Sequence, residues 1–242
     1  MSCLNACLRL LRLEDPGVFG LFFDVSIAGA IFGTFFLIFL SQKRKSVYQI
    51  SLSAVFFVGL LFTYARGTYV AVTASLFTYL LAKKKIVLFL LFIGFFGFSL
   101  LLLPRPSGEG VNLLRTFSIE SRLADYSQAI AIWQKSPIVG IGYNHIRAEK
   151  NLSFHGFDVG LLDSHAGASF HSSFLMILAT GGIIGFTLFS IGVFQALKGR
   201  KKLYPLMVFL FVLSLFDNVL LHSFVLWLLP IGIWGIIRLS DT

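Results

Sequence analysis

From Val47 to Ala82 the chain holds one charged residue, Arg66, in a run of about 36 residues, and basic clusters stand at both ends of it. A single membrane-crossing helix needs about 18 to 20 residues, so a run of this length between two basic ends crosses twice and returns to the side it left. Leu203 to Ile237 repeats the pattern, with Asp217 as its one charged residue and with Lys198, Arg200, Lys201 and Lys202 before it and Arg238 after it. The turns of the two double crossings fall near Tyr64 to Gly67 and near Asp217 to His222.

Composition agrees with that reading: 57% of the residues are hydrophobic and 13% charged, against about 25% charged in a soluble domain. The apolar blocks are continuous and lack the two-residue alternation of a membrane β-barrel. The expected fold is an all-α integral membrane protein, a single polytopic domain over residues 1–242. About seven transmembrane helices are expected, at roughly 17–40, 47–64, 66–82, 86–103, 168–197, 203–219 and 221–237. One long loop, about 104–166, remains between the fourth and fifth spans. The positive-inside rule puts Lys43, Arg44 and Lys45, Lys83, Lys84 and Lys85, the 198–202 cluster and the C-terminus in the cytoplasm. Parity then makes the loop extracytoplasmic together with Arg66, in an energised membrane of which a bacterial inner membrane is the simplest case.

The net charge of +9 raises the question of nucleic acid. A nucleic-acid surface interleaves its bases with aromatics along one face, whereas these bases gather at span ends. Within the loop, Arg105, Arg115, Arg122, Lys135, Arg147 and Lys150 are balanced by Glu109, Glu120, Asp125, Glu149, Asp158 and Asp163. The partner of the positive excess is the lipid bilayer, and no nucleic acid is expected. Cys3 and Cys7 lack the further ligands of a metal site and read as ordinary thiols. The run from Leu4 to Leu13 is interrupted by Arg9 and Arg12 and followed by Glu14 and Asp15, which does not make a cleavable signal peptide.

Inside the loop, Ser118 reads as an N-cap ahead of Glu120, and Leu123, Tyr126, Ile130 and Trp133 recur at helical spacing, which predicts an amphipathic helix at the membrane surface. Its polar side offers Arg122, Asp125 and Gln128. Pro137 ends it, and Gly140 to Gly142 form a flexible turn. Arg122 would sit in the first turn, against the helix dipole, with Asp125 or Glu120 as the nearest anionic partner.

His171 would then lie in the first external turn of the fifth span, on the side of Arg66, Arg115, Arg122 and Arg147. Arginines that clamp phosphate oxygens, beside an imidazole that can take a proton near neutral pH, suit a phosphorylated lipid. Plainer readings stand beside this one: His171 as an interfacial polar residue, and Arg66 as a snorkelling anchor. Against the latter, Arg66 is a base on the side that the positive-inside rule disfavours. His145, His155 and His165 are irregularly spaced, and no metal or cofactor is expected. Ser169, Ser172 and Ser173 flank His171 without the glycine loop or separate-helix histidine of an intramembrane serine protease. A transporter would call for internal repeats or carboxylates within spans, where only Asp24 and Asp217 approach that description.

Three stretches, Tyr64 to Val72 (YARGTYVAV), Ser121 to Ile146 (SRLADYSQAIAIWQKSPIVGIGYNHI) and Phe170 to Phe189 (FHSSFLMILATGGIIGFTLF), resemble in order and spacing the O-antigen ligase and polymerase family of bacterial envelope glycosyltransferases. The resemblance implies transfer of a glycan from a polyprenyl-diphosphate carrier to an acceptor hydroxyl, in the synthesis of lipopolysaccharide or another envelope polysaccharide. The acceptor that the resemblance implies is a glycan, a lipid or a protein. Carried over, Arg66 and Arg122 match the arginines that engage the diphosphate, and His171 matches the histidine that activates or orients the acceptor. Arg115 and Arg147 are candidates for the same anionic patch. Members of that family carry more spans than the seven counted here, with the shortage before the first, which implies an N-terminally truncated member. The alternative function is a non-catalytic flippase or exporter component, or an inactive fragment, handling the same lipid-linked glycan.

Overall fold

A computed structural model describes residues 25–42, 46–104, 117–155, 169–200, 203–228 and 230. Every regular element among them is helical. In chain order these are α1 (Val25–Ser41), α2 (Val47–Phe62), α3 (Arg66–Ala82), α4 (Ile86–Leu102), α5 (Phe117–Lys135), the five-residue α6 (Ile146–Lys150) between a 3-10 turn at Tyr143–His145 and a π turn at Asn151–His155, α7 (Ser173–Leu197) and α8 (Tyr204–Phe216), with a further helical stretch at 223–228. Helices thus occupy the described parts of the apolar runs read from the sequence; 17–24 and most of 229–237 lie outside the described residues. α7 alone among the described residues is long and apolar enough to cross a membrane; α1, α2, α4 and α8 are apolar but shorter.

The chain divides into two compact units, the first comprising Met1–Arg115, Lys202–Leu213 and His222–Thr242, the second Thr116–Lys201 and Ser214–Leu221. In the first unit α1 packs along α2, where Phe35 and Phe39 stack on Phe56 with centroids 5.1 and 5.7 Å apart. Phe57, Phe92, Phe96 and Tyr69 join α2, α3 and α4 in a second aromatic set. Ser46 caps α2, and Gln49 Oε1 accepts from the Ser46 N–H at 3.2 Å, the reciprocal half of a capping box. The chain reverses between α2 and α3 through Thr63–Ala65, with Tyr64 at φ 51°, and the Tyr64 hydroxyl donates to the carbonyl of Pro104 just beyond α4.

α4 buries Phe96 and leaves Leu90, Leu91, Phe95, Phe98, Leu101 and Leu102 exposed. A water-soluble protein rarely leaves an apolar face of this extent open, whereas hydrocarbon solvates it.

In the second unit the fifth apolar run is broken. Gly182 takes φ 61°, ψ −164°, so α7 is two helical segments meeting at a kink. The groups freed there are paired with the turn after α5: Ile141 and Gly142 donate to the carbonyls of Ala179 and Thr180 at 3.0 and 2.9 Å, and Ile183 and Ile184 donate to those of Pro137 and Ile138 at 2.9 and 3.1 Å. The turn expected to be flexible is therefore a fixed part of α7, because a backbone group stripped of its helical partner in apolar surroundings must find another.

Candidate functional site

α5 turns Asp125, Ala129 and Ile132 inward, against Ile146, Phe170, Met176 and Ala179. The spacing i, i+4, i+7 is one helical face, and Asp125 is the one charged residue of these three. Leu123 and Ile130, expected on the apolar side that meets the membrane surface, are exposed, whereas Asp125, expected on the polar side, is buried. Ser118 lies inside α5 rather than capping it, and Arg122 stands in the second turn, since the helix already runs from Phe117.

The buried carboxylate of Asp125 divides its two oxygens. Oδ1 accepts from Lys150 Nζ at 2.8 Å. Oδ2 faces His171 Nδ1 at 3.0 Å and accepts the His171 backbone N–H at 2.6 Å. Burial pushes the Asp125 carboxyl up, but hydrogen bonds from His171 and Lys150 outweigh it and hold the group below the usual carboxylate range. The hydrogen bond to Asp125 raises the His171 imidazole above its ordinary value against the opposing effect of burial. The His171 side chain remains 45% exposed. With Nδ1–H donated to the carboxylate, the neutral ring keeps its lone pair on Nε2, which has no hydrogen-bond partner among the described residues.

One turn before Asp125, Arg122 Nη2 contacts Asp217 Oδ2 at 3.0 Å. Neither Asp125 nor Glu120 is its partner, because Asp125 is turned inward to Lys150 and His171. The segment Ser214–Leu221 is tied to the start of α7: Ser172 Oγ donates to the Ser214 carbonyl at 3.1 Å, Ser173 Oγ donates to the Asp217 carbonyl at 3.2 Å, and Leu220 N–H donates back to Ser173 Oγ at 3.1 Å. The Tyr126 hydroxyl donates to the Leu215 carbonyl. His171, Arg122 and Asp217 are thereby set by one network, in which Asp217 favours the charged imidazole and Arg122 opposes it.

Of the residues read from the sequence, His171 and Arg122 come together in the second unit. Arg147 is in the same unit, on α6, three residues before Lys150. Arg66 is the first residue of α3, in the first unit. Arg115 and His165 lie outside the described residues. The sequence reading passed over Lys150 and gave Asp125 and Asp217 no part in the site. The signal for Asp125 was available, since an acidic residue in register with Ala129 and Ile132 is an anomaly on a helix face. Among the described residues no three His, Cys, Asp or Glu side chains gather as metal ligands would.

This arrangement is a carboxylate-oriented imidazole beside a guanidinium. It can take a proton at Nε2 while a neighbouring anion is held by the arginine. Comparison with known proteins supplies the chemical context. The family model described as O-antigen ligase matches residues 25–190, more than half of the chain and including every residue of the site except Asp217. No curated protein and no solved structure matches.

Proposed function

The chain belongs to the O-antigen ligase family, bacterial membrane proteins with a general role in glycan transfer, and from that premise we propose that it moves a glycan from a polyprenyl-diphosphate carrier to an acceptor hydroxyl. The observation that carries this reading is the Asp125–His171 pair, which leaves Nε2 as proton acceptor at the mouth of α7.

In the step proposed, the acceptor O–H loses its proton to Nε2 as its oxygen bonds to the anomeric carbon. The bond from that carbon to the diphosphate oxygen breaks, and the electron pair leaves with the diphosphate, inverting the centre. Negative charge grows on the departing group, so fixed guanidinium groups lower the barrier. Asp217 occupies one Arg122 nitrogen, and a guanidinium has five N–H donors, which leaves donors for phosphate. Arg66, Arg147 and Arg115 are proposed as further phosphate ligands. The ring must be neutral to act as base, so the raised His171 value shifts the rise in activity to higher pH than an ordinary histidine would give.

The membrane arrangement belongs to the same proposal: seven spans in a bacterial inner membrane, the loop at about 104–166 and His171 on the outer face, the C-terminus inside. The exposed apolar faces of α4 and of the second half of α7 support immersion in lipid. The exposed stripe of Ile119, Leu123 and Ile130 supports contact of α5 with the bilayer surface.

The test is product formation by the full chain in proteoliposomes supplied with a mixed pool of polyprenyl-diphosphate glycans from bacterial envelopes. His171→Gln is expected to lower turnover by about 100-fold or more with donor binding retained. Arg122→Ala and Arg66→Ala are expected to weaken donor binding. Unchanged transfer by His171→Gln would remove the base from the mechanism.

A further inference from the structure

Lys150 is a charge that the transfer chemistry does not call for. Its side chain is 4% exposed. The ammonium contacts Asp125 Oδ1 and the Ser169 carbonyl, both at 2.8 Å, and lies 4.3 Å from the centre of the Phe170 ring. Burying an ammonium is costly unless its donors are engaged, and here they are engaged on the two residues that lead into His171 and on the carboxylate that faces it. The lysine thus grips the backbone entering the histidine and the group orienting its ring.

The division of the carboxylate gives this grip a chemical consequence. A carboxylate that faced the imidazole alone would hold the ring proton strongly; a second cation on its other oxygen draws charge away and lets the ring release that proton at lower pH. From this geometry we infer that Lys150 is a positioning residue for His171: it aims Asp125 Oδ2 at Nδ1 and, by sharing the carboxylate, lowers the pH at which the imidazole becomes available as a base. The inference rests on the reading of His171 as proton acceptor. Among the described residues, the charged groups facing His171 are Asp125 and Arg122 from α5, Lys150 from α6 by way of Asp125, and Asp217 from the segment Ser214–Leu221. Both carboxylates favour the charged ring; Arg122 opposes it directly, and Lys150 opposes it through Asp125.

The experiment is an NMR titration of the full chain in lipid nanodiscs with 13C at histidine Cε1, the His171 signal being the one lost in His171→Gln. Lys150→Met is expected to raise the His171 midpoint by about one pH unit. Lys150→Gln, which keeps a donor and loses the charge, is expected to move it the same way and serves if Lys150→Met does not fold. Asp125→Asn is expected to lower it, and Lys150→Arg to leave it in place. A His171 midpoint that is unchanged or lower in the charge-removing lysine variants overturns the inference, whatever His171 does in transfer. A raised midpoint alongside full transfer by His171→Gln would uphold the lysine's effect on the ring and overturn the catalytic reading instead.

Discussion

Asp125 joins a buried cation to a half-exposed imidazole, and its two obvious substitutions should therefore differ. Asp125→Ala leaves Lys150 buried without its carboxylate and is expected to cost about 3–5 kcal/mol, read as a lowered midpoint of chemical unfolding in detergent. Asp125→Asn keeps the shape and an acceptor oxygen and is expected to cost less. The pH dependence has a definite sign. His171 is raised in the fold, so its protonated ring adds stability that is complete below the unfolded histidine value and fades as pH rises through the folded one. Asp125 is lowered, so its contribution holds above the unfolded carboxylate value and is lost only as pH falls through the folded one. The gap in thermal midpoint between wild type and His171→Gln should accordingly be wider at about pH 5.5 than at about pH 8.5, a window in which Asp125 stays ionised. A gap that widened with pH would contradict the Asp125–His171 pairing. At this scale the sequence was partly legible. His171 stood out as a polar group at the edge of an apolar run and Arg122 as a cation in the expected first turn of the loop helix, whereas Lys150 was one of six bases in a balanced loop, and only tertiary packing makes it a buried one.

For the helices, legibility followed the physics of the pattern. The basic clusters and the length of the apolar runs fixed where α2, α3 and α4 begin and end to within two residues, because charge and hydrocarbon separate without reference to the rest of the chain. The break in α7 escaped that logic. Gly181 and Gly182 sit in a run that reads as continuous, and glycine is common in membrane helices, so nothing local announces a backbone with φ 61° and ψ −164°. That region of conformational space is essentially glycine's alone, and a Cβ at Gly182 would also run into the Ile138 carbonyl. Gly182→Ala is expected to cost about 1–3 kcal/mol from backbone strain alone, with faster hydrogen exchange at the Ile183 and Ile184 amides as the local signature. Gly140→Ala, whose Cβ would meet the Thr180 backbone, should show the same signature from the other side. Slow exchange retained at both amides would mean that the four bonds are not what holds the kink.

Across the whole molecule, the sequence pointed to an all-helical chain from the absence of two-residue alternation and the excess of continuous apolar runs, and the described residues agree. What it could not supply was the grouping of helices into units, which depends on contacts far apart in the chain, such as Ser75 Oγ donating to the Pro205 carbonyl at 2.6 Å within the first unit. The open apolar face of α4 makes a prediction about the solvent. If α4 spans the bilayer, Leu91→Arg, near its middle and exposed, should cost about 2.5–3.5 kcal/mol of insertion free energy, measurable as reduced integration in a translocon assay; unimpaired integration would place α4 outside the hydrocarbon. The clasp at Gly182 carries one more consequence, for biogenesis. Residues 137–142 leave the ribosome before residues 179–184, so the segment that completes the kinked helix is made first and must be kept available until its partner arrives. Maturation of α7 is therefore a rendezvous between two parts of the nascent chain, and a span that an insertion machine could accept by hydrophobicity alone is finished only when the earlier-made turn closes on it.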